Sequence, residues 1–111
     1  MKIRVDVNVL AGNMGDGWAD QYEAAMGYGE YLKPHIEDDC VSAYPNADVI
    51  VTIEVGRESG CRRETSVTID GMDDPENEYD VMRKLEETIA DTENQAWDDF
   101  CTSPEAEQYF D

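Results

Sequence analysis

The chain has 111 residues, 41% of them hydrophobic, with 27 acidic against 8 basic side chains and a net charge of −19. That apolar content suits one packed domain and excludes wholesale disorder. The charge works against direct binding to DNA or to an anionic membrane, both themselves negative, and favours a basic partner.

The charge is uneven. Residues 1–63 carry 11 acidic and 6 basic side chains, whereas residues 64–111 carry 16 and 2. Solubility alone does not require such polarity, which points to an interaction surface. Cys40, Cys61 and Cys101 stand far apart without a CxxC pair, and an odd count describes no closed disulfide framework. Reduced thiols in a cytoplasmic protein are expected. The N-terminus opens on alternating residues and not on a secretory signal. No apolar run approaches the ~20 residues of a membrane span.

In chain order, residues 2–10 alternate, with Ile3, Val5, Val7 and Val9 on one side, the pattern of a strand buried on one face. A glycine-rich loop follows from Ala11 to Gly17 and lacks the Lys-Ser/Thr of a phosphate loop. Residues 18–44 carry helical periodicity through Trp18, Tyr22, Ala25, Gly29, Leu32, Ile36, Cys40 and Ala43, with Asp16 as candidate cap. Gly27, Gly29 and Pro34 weaken its middle, and one kinked helix is favoured over two. Tyr28 and Tyr31 fall on the back of this helix, and His35 falls roughly opposite its apolar face.

Residues 47–55 and 62–70 read as two strands joined by a glycine turn, an antiparallel hairpin. Asp74-Pro75 then starts a helix running to about Phe100, with Val81, Leu85, Ile89, Thr92, Ala96 and Phe100 on its buried face. Residues 102–111 read as an acidic, frayed tail. The expected fold is a single α/β (α+β) domain over residues 1–101 of order βαββα, a three-stranded sheet with two helices on one face.

The most informative feature is a row of carboxylates on the last helix: Glu76, Asp80, Glu87, Asp91 and Asp98. At about 100° per residue all five project within roughly 60° of one another. Like charges four apart repel, so the row is a cost to an isolated helix. Regular negative charges on a rod are also what a nucleic-acid backbone presents. Trp97 and Tyr79 stand away from the centre of the buried stripe, and an aromatic beside charges often anchors an interface. The opposing reading is a solvated helix face.

Other chemistry has less support. The row looks solvated, where carboxylates do not acquire the divided environments of a catalytic pair. One histidine and scattered cysteines leave zinc too few soft ligands. Residues 70–80 are rich in oxygen ligands, but Met72 and Pro75 stand where an EF-hand needs Asp/Asn and Gly. Arg57, Arg62 and Arg63 form a basic cluster that reads as balancing Glu58, Glu64 and the acidic helix.

The order of elements, the IRVDVNV opening, the YPNADVIVTIEV passage and the acidic last helix ending in AWDDF resemble DinI-like proteins, small regulators of the RecA recombinase. The resemblance covers most of residues 2–101. It implies an acidic helix that contacts RecA partly by standing in for single-stranded DNA, a role falling here on Asp80, Glu87, Asp91 and Asp98, with Glu76 at the leading end. The longer glycine loop and first helix, the Gly27-Tyr28-Gly29 break and the tail past Cys101 depart from that pattern.

The expected function is therefore non-enzymatic: modulation of a basic nucleic-acid-binding protein, without direct DNA binding, membrane, cofactor or metal. A phage protein that blocks CRISPR or restriction complexes would use the same physics. A structural protein whose acidity is incidental, and a cation-binding module centred on Asp70 to Asp80, remain open.

Overall fold

The computed structural model describes residues 1–58 and 64–110. The elements follow the expected order: β1 (Lys2–Leu10), α1 (Gln21–Ala43), β2 (Asp48–Gly56), β3 (Glu64–Asp70) and α2 (Glu78–Cys101), with a short α3 (Pro104–Glu107) after them.

The sheet is mixed, in the order β2-β1-β3. β1 pairs in parallel with β2, from Lys2 opposite Asp48 to Leu10 opposite Gly56, and antiparallel with β3, from Lys2 opposite Asp70 to Asn8 opposite Glu64. The hairpin expected between the second and third strands is thus replaced by two pairings to β1. A strand–helix–strand crossover makes neighbouring strands parallel, so α1 delivers β2 to one edge of β1 and β3 takes the other. That order puts Ile3, Val5, Val7 and Val9, each 0–1% exposed, at the centre of the core. Both helices cover this face, while Lys2, Arg4, Ser66, Thr68 and Asp70 are exposed on the other.

α1 starts three residues later than its periodicity suggests, because Asp20 and not Asp16 caps it. The Asp20 carboxylate accepts from the Tyr22 and Glu23 amides at 2.9 and 3.2 Å. The helix runs unbroken through Pro34, which lies exposed. Its glycines serve packing: a Cβ on Gly29 would stand 2.8 Å from Ile53 Cγ2, and one on Gly27 2.5 Å from the Tyr109 ring. α1 also buries more than one stripe. Ala24 and Tyr28 are fully buried beside Ala25, Leu32, Ile36 and Cys40, because the helix packs on the sheet along one line and on α2 along another. Tyr28, expected at the back, therefore lies inside, whereas Ala43, expected in the apolar stripe, is exposed.

The expected frayed tail is docked. Ala106 is fully buried, the Ala19 amide donates to the Tyr109 carbonyl at 2.9 Å, and the Trp18 ring stacks on Phe110 at 4.9 Å between centroids. Phe100 lies beneath, 6.0 Å from Trp18 and 5.6 Å from Tyr28. The apolar side chains of Ala106, Tyr109 and Phe110 meet an aromatic floor supplied by Trp18, which precedes α1, and Phe100 of α2, and this packing outweighs their acidic neighbours.

Deleting residues 104–111 should uncover Trp18 and Phe100 and remove ~2–3 kcal/mol of burial. Thermal unfolding followed by circular dichroism should show a melting temperature lower by about 10 °C. Burial, and then the charge of Asp39, push the Cys40 thiol up to about 11. Its stabilising contribution is full below the unfolded value near 9.0 and is lost as pH rises toward 11. Iodoacetamide at pH 8, with sites mapped by mass spectrometry, should modify Cys40 only in unfolded protein.

Candidate partner-binding surface on the second helix

α2 is an α-helix of 24 residues, about 36 Å long. A turn of 3-10 helix, Pro75–Asn77, leads into it, held by Asp74, whose carboxylate accepts from the Glu76 amide at 3.2 Å and from Asn77 Nδ2 at 2.7 Å. Asp74 thus opens the helical segment as expected, but Glu76 belongs to this turn, so its angular position does not follow from the α-helical period.

The other four carboxylates lie on the α-helix itself. At ~100° per residue, Asp80, Glu87, Asp91 and Asp98 centre on a line about 170° from the buried row Leu85, Ile89, Ala96 and Phe100. All five, Glu76 included, are exposed. Among the described residues none of their side chains has an ion-pair or hydrogen-bond partner. Lys84 lies about 40° from the line, four residues after Asp80, yet makes no ion pair within 4.0 Å with any of the four. Arg83 leans over the Tyr79 ring instead, 5.9 Å from its centroid.

Two polar clamps fix the rotation of α2. On one side the Thr92 hydroxyl donates to the Asp39 carboxylate of α1. On the other the Thr65 hydroxyl of β3 donates to Glu93 Oε1 at 2.6 Å, and the Tyr28 hydroxyl donates to the Glu93 carbonyl at 3.0 Å. Between them lie the core residues of the helix. Thr92 and Glu93 are half-buried, and the carboxylate row faces the solvent opposite.

Trp97, expected at the partner interface, is half-buried in the aromatic cluster, 6.4 Å from Trp18 and edge-on to Tyr28 at 5.3 Å. It anchors α2 to α1. Tyr79 is 61% exposed beside the start of the row. Sequence reasoning places Thr92 on the buried face but misses its partner Asp39, and it misses Glu93. A Thr-Glu pair at the margin of an apolar stripe was the available signal, and its partners on other elements were not readable.

The negative field of the helix end reaches its neighbours: burial, then the charges of Asp99 and Glu105, push the Tyr31 phenol above its ordinary value. Between the helices lies a cleft of about 220 Å³ lined by His35, Asp38, Asp39, Thr92, Gln95 and Asp99. Among the described residues no group of three or more His, Cys, Asp or Glu side chains is placed to hold a metal ion, and no helix is long and apolar enough to cross a membrane. Arg57 stacks on Tyr22 at 3.9 Å, whereas Cys61, Arg62 and Arg63 lie outside the described residues.

No family model matches the chain, and comparison with curated proteins and with solved structures finds no match.

Like charges four residues apart in the row repel one another within the folded helix. Neutralising it (Asp80→Asn, Glu87→Gln, Asp91→Asn and Asp98→Asn together) should raise the melting temperature by a few degrees at low salt. The gain should vanish near 1 M salt, where screening already removes the repulsion.

Proposed function

We propose that the chain is a non-enzymatic acidic regulator that binds a basic nucleic-acid-handling protein through α2, with Asp80, Glu87, Asp91 and Asp98 standing in for phosphates. The observation that carries this reading is the row itself: four exposed carboxylates that have no partner among the described residues, on a helix whose rotation is fixed. Steps of four and seven residues separate them by about 6 and 10.5 Å along the axis. Those distances approximate two and three phosphate steps of one strand of B-DNA, at 3.4 Å each. Lysines and arginines spaced to meet phosphates would therefore meet carboxylates.

The resemblance of the IRVDVNV, YPNADVIVTIEV and AWDDF segments to DinI-like regulators favours a RecA-type recombinase as the partner. Each exposed carboxylate–cation contact contributes ~0.2–1 kcal/mol, so four contribute about 1–4 kcal/mol. That range is roughly five- to several-hundred-fold in affinity.

The test is binding of the purified chain to RecA filaments on single-stranded DNA, read by fluorescence anisotropy across a salt series. The wild type should bind, with affinity falling steeply as salt rises. The four-carboxylate neutral variant should lose at least about fivefold. A control variant with four charges removed elsewhere (Asp16→Asn, Glu23→Gln, Asp48→Asn and Glu105→Gln) should bind nearly as well as wild type. Equal losses in the two variants would mean that bulk acidity, not the row, selects the partner, and the reading would fall.

A further inference from the structure

The three strands are not equally covered. The inward row of β1 is 0–1% exposed, and Val67 and Ile69 of β3 are 4% and 2% exposed. β2 carries the same pattern, but only Val51 is buried, at 6%, while Val49, Ile53 and Val55 are half-buried. Beside them a groove of about 240 Å³ opens between α1 and β2, lined by Met26, Gly29, Glu30, Lys33, Ile53 and Val55. Met26 at its mouth is 45% exposed.

The shortfall has a geometric origin. Two packed helices, each about 10 Å across, form a layer about 20 Å wide. Three strands spaced about 4.8 Å apart fill only about 14 Å beneath it. The helix layer overhangs, and the groove shows that it does so at β2. That strand is also an open edge: nine residues in continuous register with β1, without proline or bulge, and unpaired on its other side among the described residues. Natural edges of such length are normally blunted.

The occupant that fits is one strand. A second copy docking β2 against β2 would bring its own α1, placing two helix axes about 5 Å apart where packing needs 8–10 Å. A lone extended segment adds about 4.8 Å and leaves four strands under two helices. Charge selects its composition. Glu30 and Lys33 border the groove and offset each other, whereas Asp48 and Glu54 are exposed on the outward face of β2 and the whole chain carries −19, so the basic positions of the segment lie on its outward face.

We propose that the free edge of β2, with the groove under α1, is a strand-addition site for an extended peptide segment of a partner protein, apolar at alternate positions facing the groove and basic at the others. Backbone pairing supplies affinity in this mode and the alternate side chains supply selectivity. The site is separate from the carboxylate row and does not rest on it.

The probe is a capped nine-residue peptide of alternating lysine and valine, titrated into the full chain with amide exchange read by NMR. Binding should slow exchange of the alternate amides of Asp48–Gly56 that point away from β1 and persist in the neutral variant of the α2 row, so failure here and failure of the row are distinguishable. Alternate N–H groups of a strand point to opposite edges. N-methylating either the valines or the lysines should therefore weaken binding about tenfold or more, while the complementary methylated peptide binds within about threefold of the parent. Three results would overturn the proposal: no binding, equal affinity of both methylated peptides, or β2 amides already protected in the free chain by concentration-dependent self-association.

Discussion

α2 presents its carboxylates in one direction because it cannot turn about its own axis. Its apolar row sets the orientation coarsely, since Leu85, Ile89, Ala96 and Phe100 must face the core. The clamps at its margins set it finely: Thr92 ties it to α1, and Glu93 ties it through its carbonyl to Tyr28 and through its carboxylate to Thr65. These three contacts engage two other elements, so a rotation that relieved one would break the rest. Aromatic packing of Trp97 and Phe100 against Trp18 and Tyr28 holds the far end. Anionic charge thus accumulates on a line of the helix where, among the described residues, no side chain pairs with it.

The sheet order has an equally direct effect on the rest of the surface. With β1 in the centre, the apolar pattern shared by all three strands is fully satisfied only there and at β3. β2 sits under the overhang of α1, and Gly29 lets that helix approach Ile53 closely without sealing the margin. The acidic row on α2 and the half-covered strand edge beside α1 thus arise from separate causes, charge placement in one case and a mismatch of layer widths in the other.

Element identity was legible in the sequence because alternation and helical period act locally. β1 occupies the residues its alternation marks, Lys2–Leu10, and α2 ends within a residue of its expected limit. Strand order was less legible, since alternation says which face is buried and not which neighbour pairs. The strand–helix–strand order of the first half nevertheless carried the cue for parallel pairing, and the short glycine turn after β2 pointed the other way. The docking of the tail was not legible because its acidity obscures Ala106, Tyr109 and Phe110, which sit against Trp18 and Gly27 from far away in the chain as well as the nearby Phe100. The same reason hid the burial of Tyr28 and Trp97. The four helical carboxylates were legible because an exposed row depends on little beyond its own helix, and Glu76 was not because a different helical geometry begins before Glu78.

Pairing Lys2 with Asp48 on one side and with Asp70 on the other leaves the sheet without any pair of strands that are close neighbours in sequence. A local hairpin forms in microseconds and nucleates its surroundings, but here every ladder closes a long loop first. Folding should therefore be slower than that of a helical protein of equal length. β1, the most deeply buried strand, has no strand partner until residues 48–56 have been made, so its apolar face should stand open to aggregation during that interval of synthesis.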